Sequence, residues 1–183
     1  MNPLSLIDET DPRSDNYPSK TVQDKETPDI DALIDLTRVP GEGRLLGLDL
    51  GTKKVGVAVS DELRLTVKPV KIIERGSWKR LLVEIKELIS VYDASALVLG
   101  LPLNSDGTES EMSIEARRLA RNFSLSLEIP VVLHDERLTS WAARGRLWAS
   151  GAGEKKVRAR LDSEAAAIIL EDLIEVMSSK KNQ

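Results

Sequence analysis

The chain contains no cysteine. Disulfides, thiolate metal sites and cysteine nucleophiles are therefore excluded, which fits a reducing compartment. There is one histidine, His134, and no serine stands in a Gly-x-Ser-x-Gly elbow, so a Ser-His-Asp nucleophile has no framework. His134 reads as a packed or half-exposed strand residue. Aromatic residues make up only 3% of the chain and fall mainly at apolar helix positions, so stacking on single-stranded bases is not supported. No Walker-type phosphate loop is present. No apolar run approaches the ~20 residues of a membrane helix, and the N-terminus lacks the charged and apolar regions of a signal peptide. A cytoplasmic, soluble protein without a membrane partner is expected.

What is present amounts to one domain with chain to spare: 183 residues, 41% of them hydrophobic, enough for a packed core. Residues 1–43 hold ten acids and four bases, and prolines at 3, 12, 18, 28 and 40. They show no sustained period and read as a disordered acidic tail, with Ile30, Leu33, Ile34 and Leu36 as a short amphipathic turn within it. Residues 44–183 read as the folded domain. From Arg144 to Arg160 the chain carries Arg144, Arg146, Lys155, Lys156, Arg158 and Arg160 against Glu154 alone. That is a basic segment compatible with a polyanion and equally with a solvated surface.

The pattern predicts strands near 44–50, 55–61 and 67–73. The first two are joined by Gly51-Thr52-Lys53-Lys54 as an antiparallel hairpin, and the third carries Pro69, which suits an edge. Apolar positions at helical spacing follow from a Ser77 cap to Val91. Ala96 to Gly100 reads as a strand covered on both faces, residues 112–127 as a helix, and 130–136 as a strand ending in acids. Thr139 or Ser140 would cap a helix to about Ser150, a Gly-rich basic connection would span 151–160, and a last helix would run from Asp162 to about Met177. A meander followed by alternating strand and helix predicts an α/β fold, a mixed sheet with helices on both faces.

Asp49 is the residue that breaks this pattern. It interrupts the apolar run Leu45-Leu46-Gly47-Leu48-Asp49-Leu50, where a buried carboxylate costs several kcal/mol unless something pairs with it. Glu136 ends the last strand and Asp162 opens the last helix. Sites in such sheets form at the carboxyl ends of parallel strands. Three converging carboxylates repel one another, and Mg²⁺ or Mn²⁺ would relieve that; two such ions about 3.5–4 Å apart are an apparatus for phosphodiester cleavage. Each acid also has a plainer role: Asp162 as a helix cap, and Asp135 and Glu136 as solvated strand-end residues. Alternation puts Asp135 and Glu136 on opposite faces, so spacing does not choose between them. Asp61 reads as a turn residue.

Four blocks in order, LLGLDLGTKKVGVAVSD, LVLGLPLNSDGT, HDERLTS and LDSEAAAIILEDL, resemble the YqgF/RuvX family over about residues 44–177. The resemblance implies an RNase H-like fold with a five-stranded mixed sheet in order 3-2-1-4-5, strand two antiparallel. It implies a pre-16S rRNA endonuclease acting in 5′-end maturation during ribosome biogenesis, or a Holliday junction resolvase. It places the metal-holding catalytic acids at Asp49, Glu136 and Asp162, and so chooses Glu136 over Asp135. Thr52, Lys53, Arg137 and Thr139, with the basic segment, would contact nucleic acid, and Gly100-Leu101-Pro102 with Asp106-Gly107 would lie beside substrate. The chain departs from the family pattern at Glu109-Ser110-Glu111, where a glycine and often a base are common. Two other readings are a non-catalytic nucleic-acid-binding factor and an ATP-binding phosphotransferase built on the Asp-x-Gly-Thr hairpin. About 140 residues are too few for the two duplicated lobes of such phosphotransferases.

Overall fold

The computed structural model describes residues 33–136 and 154–181, with side chains of the second stretch from 164 to 179. Its strands are β1 (Arg44–Leu50), β2 (Lys54–Ser60), β3 (Val67–Glu74), β4 (Ala94–Leu101) and β5 (Val131–Asp135). Its helices are α1 (Trp78–Tyr92), α2 (Glu111–Ser126) and α3 (Glu154–Lys181). The strands make one sheet in the order β3-β2-β1-β4-β5. β2 runs antiparallel to both β1 and β3, while β1, β4 and β5 are parallel. This is the RNase H-like arrangement the resemblance implies.

The local reasons are visible in the chain. The Gly51 N–H donates to the Lys54 carbonyl at 2.9 Å, leaving Thr52 and Lys53 as the turn; a link this short forces antiparallel pairing. Pro69 stands on the edge strand β3, where the pairing slips one residue between Val57 and Ala58; an edge tolerates the missing N–H. The Ser77 side chain accepts from the Arg80 N–H to start α1, and Asp93 ends it in the left-handed region at φ 50°. Loop–helix–strand connections then return the chain parallel, as crossovers require.

Alternation along the strands builds two cores. Leu46, Leu48, Leu97, Leu99 and Leu133 face α1 and α2, where Trp78 and Phe123 meet with ring centroids 4.8 Å apart. Trp78 is thus a packing residue and not a platform for bases. Leu45, Ala58, Ala96, Val98 and Val132 face α3. That second face is lined with small residues, and α3 comes in close. A Cβ on Gly47 would lie 2.5 Å from Leu170 Cγ.

Two boundaries differ from expectation. α3 begins at Glu154, eight residues before Asp162, because residues 154–161 contain no Gly or Pro and mostly strong helix formers. Asp162 therefore lies within a helix instead of capping it, and Lys155, Lys156, Arg158 and Arg160 are helical instead of in a Gly-rich connection. The helix expected up to Ser150, with Arg137, Thr139, Arg144 and Arg146, lies outside the described residues, as do residues 1–32. Packing also reaches upstream of Arg44. Leu33 is fully buried and Val39 nearly so, and Arg64 donates to the carbonyls of Pro40, Glu42 and Gly43 at 2.7, 2.9 and 2.9 Å. The amphipathic turn read around Leu33 thus docks on the domain. Asp61 is the turn residue expected, accepting from the Thr66 N–H at 2.6 Å, which holds its carboxyl below the usual range. Among the described residues, no helix is long and apolar enough to cross a membrane.

Candidate active site

The carboxyl ends of the three parallel strands β1, β4 and β5 lie at one edge of the sheet, because β1 pairs β4 and β4 pairs β5 in parallel register. Asp49 is the last but one residue of β1. It shares with Gly47 the strand face that packs on α3, whereas its neighbours Leu48 and Leu50 belong to the other core. Glu136 directly follows β5, and its N–H donates to the Leu101 carbonyl at 3.2 Å. Two residues on from His134, it falls on the same face as Asp49.

The two acids meet. The Glu136 carboxyl is pushed up to about 8, first by burial, then by the negative charges of Asp49 and Asp135. Of the pair left open by alternation, Glu136 is the one whose carboxyl lies against Gly100 on the α3 side of the sheet.

Gly100 makes that placement possible. It pairs in register with His134. A Cβ at this position would lie 1.6 Å from Glu136 Oε1 and 2.7 Å from Ile169 Cδ1. The glutamate carboxyl occupies space that any side chain would fill, walled on one side by Ile169 of α3. The cradle holds the Glu136 carboxyl in partial burial within reach of the Asp49 charge, an arrangement that disfavours two ionised carboxylates without a cation. Hard oxygen donors of this kind suit Mg²⁺ or Mn²⁺. Among the described residues no third His, Asp or Glu completes such a cluster, and the Asp162 side chain is not among them.

The rim of this edge is built from the hairpin and from the loop after β4. Thr52 and Lys53 are exposed at the hairpin tip. Sequence reasoning did not single out Arg75, which fastens that tip from the end of β3. Its N–H donates to the Lys53 carbonyl at 2.9 Å, its Nη1 to the Gly51 carbonyl at 3.1 Å, and its Nη2 to Glu115 of α2 at 2.5 Å. The loop after β4 is tied to itself. Asp106 accepts from the Thr108 hydroxyl at 2.6 Å and N–H at 2.9 Å, which lowers its pKa, and Gly107 takes φ +84°. The departure at 109–111 has structural uses: Ser110 and Ser113 form a capping box for α2, and Glu109 pairs with Arg117 at 2.5 Å. His134 also has a partner that sequence could not suggest. Its Nε2 lies 2.6 Å from Asp172 Oδ2 on α3.

The model of the RuvX family, described as Holliday junction resolvase, matches residues 43–176. The chain belongs to the RuvX family. A relative from Syntrophus aciditrophicus (strain SB), named "Putative pre-16S rRNA nuclease", is 39% identical over 138 residues, covering 75% of this chain and 92% of its own. One of the same name from Geobacillus kaustophilus (strain HTA426) is 40% identical over 136 residues, covering 72% and 97%. Among solved structures, T. thermophilus RuvC in complex with Holliday junction substrate aligns at TM-score 0.45 and 13% identity over 76% of this chain and 96% of that one. In this RuvX chain the matched stretch ends in α3 and contains Asp49, Gly100, Glu136 and Asp162.

Proposed function

We propose that the protein is a metal-dependent endonuclease that hydrolyses phosphodiester bonds in structured RNA, acting in 5′-end maturation of pre-16S rRNA. The observation that carries this reading is the burial of Glu136 beside Asp49 in the space left by Gly100. The choice of RNA follows the relatives named for pre-16S rRNA. The family description favours a second substrate, a four-way DNA junction.

Asp49, Glu136 and Asp162 would hold Mg²⁺ or Mn²⁺. Bound there, the ion would supply the positive charge that lets the carboxylates ionise together and the Lewis acidity that makes water a nucleophile at neutral pH. The rest falls to the chain. Asp49 and Glu136 present oxygen donors from two parallel strands whose spacing the sheet fixes. Ile169 excludes water from one side of the Glu136 carboxyl. Thr52 and Lys53, on a tip fastened by Arg75, offer a hydroxyl, a cation and backbone N–H groups to a phosphate. Arg137, Thr139, Arg144, Arg146, Lys155, Lys156, Arg158 and Arg160 would hold the backbone by charge without reading sequence. Asp162 stands four and seven residues before Ala166 and Ile169, the spacing of one helical face, and both of those residues are buried against the sheet.

The test is cleavage of a precursor 16S rRNA fragment and a four-way DNA junction in parallel, with and without divalent metal. RNA cleavage that requires metal supports the reading. Cleavage of the junction alone moves the substrate to DNA, and equal cleavage in EDTA removes the metal from the mechanism.

A further inference from the structure

We propose that His134 and Asp172 are positioning residues that hold the Glu136 carboxyl in its cradle, an inference that rests on the nuclease reading of the Asp49–Glu136 site. β5 is a five-residue edge strand, bonded to the sheet through β4 alone. Glu136 lies one residue past its end, where its N–H donates to the Leu101 carbonyl at 3.2 Å, but among the described residues no strand on the far side helps to fix its side chain. The last anchor before Glu136 on the α3 face is His134, which is buried and whose Nε2–H donates to Asp172 Oδ2 at 2.6 Å.

The same turn of α3 touches three strands. Leu170 packs on Gly47 of β1, Ile169 packs on Gly100 of β4, and Asp172 bonds to His134 of β5. The first two contacts are apolar and carry no directional bond. The third is directional and sets the helix's register against β5. Ile169 and Asp172 are three residues apart and share one face of α3. The bond that pins Asp172 to β5 therefore also sets the Ile169 wall against which the Glu136 carboxyl sits. Losing it would free the cradle on two sides at once, at the end of β5 and at Ile169. Partners that hydrogen-bond a metal ligand directly are worth about 10- to 100-fold in metal affinity; this pair acts through the end of β5 and Ile169, so the low end of that range is expected.

The experiment measures Mn²⁺ binding by electron paramagnetic resonance, independently of cleavage, on the full-length protein. It compares wild type, His134→Phe, His134→Gln and Asp172→Leu, with thermal unfolding in EDTA alongside. Phe keeps a planar ring, slightly larger, without the bond, whereas Gln restores a donor at similar reach. Asp172 is partly exposed, so Asp172→Leu gives a readable variant even where a change at His134 costs folding. The expected result is a Mn²⁺ dissociation constant raised about 10-fold or more in His134→Phe and Asp172→Leu. His134→Gln should stay near wild type, and the double variant His134→Phe/Asp172→Leu should be no worse than the weaker single. Lowered melting temperatures with unchanged Mn²⁺ affinity would make the pair merely structural and overturn the proposal, as would His134→Gln behaving like His134→Phe. Wild type that binds Mn²⁺ but cuts no RNA would overturn the nuclease reading alone and leave the positioning result standing. Wild type that binds no Mn²⁺ would overturn both.

Discussion

A glutamate buried beside an aspartate is held against its own ionisation, and Glu136 carries that strain into the pH behaviour of the fold. Burial, with the Asp49 and Asp135 charges, pushes its carboxyl up to about 8 in the folded chain, against the ordinary carboxylate value when unfolded. Between those two values the folded state holds a proton that the unfolded state has lost. Without metal, stability therefore falls as pH rises from about 4.5 to 8 and is level above that, by on the order of a few kcal/mol. Glu136→Gln keeps the shape without the charge and should show little of this fall, while saturating Mn²⁺ at pH 8 should restore wild type. Thermal unfolding of both proteins across pH 5 to 9 in EDTA checks it; parallel curves would show that Glu136 is not the group responsible. Gly100 makes the complementary prediction. Gly100→Ala puts a methyl where the Glu136 carboxyl lies. It should cost ~1–3 kcal/mol of stability and at least about 100-fold in cleavage through displacement of that carboxyl. Adding Glu136→Ala should return much of the stability and none of the activity.

At the scale of elements, the site edge is held by ties between segments distant in sequence. Arg75 joins the β1–β2 turn to α2 through Gly51 and Glu115. Arg75→Met should lower cleavage more than stability, because Glu115 retains Arg118 as a partner at 2.7 Å and the residue-75 N–H still holds the Lys53 carbonyl, while Gly51 loses its side-chain brace at the base of the tip. Equal RNA affinity and turnover in Arg75→Met would show that the tip does not contribute. Legibility in the sequence divides along the same line. Period-2 and period-3.6 patterns located β1 to β5, α1 and α2 because their burial is regular and some of their ends carry turn or cap residues such as Gly51 and Ser77. Asp49 was visible because a charge in an apolar strand is improbable unless used. The start of α3 was misplaced because Asp162 looks like a cap, while the charged residues before it, which are good helix formers, look like a loop. The Gly100 cradle, the His134–Asp172 bond and the Arg75 brace were not legible. Each joins positions far apart in the chain, 24 residues for Gly51–Arg75, 38 for His134–Asp172 and 40 for Arg75–Glu115, and no local period records a contact made through the fold.

For the molecule as a whole, the domain closes one sheet between two helical layers and is strapped from upstream. Leu33 is fully buried, and Leu36 and Val39 pack toward α3. Leu33→Ala should cost about 2–5 kcal/mol, read as a lowered denaturant midpoint. A chain begun at Arg44 should lose at least as much, and unchanged stability would show that the strap does not matter. Whether the finished edge cuts RNA is read by metal-dependent cleavage of a precursor 16S rRNA fragment by wild type, Asp49→Asn and Glu136→Gln, each first shown to be folded. Wild type should cleave only with Mg²⁺ or Mn²⁺, and both variants should lose about 10³-fold or more. Undiminished cleavage by either variant would show that Asp49 and Glu136 do not form the nuclease site.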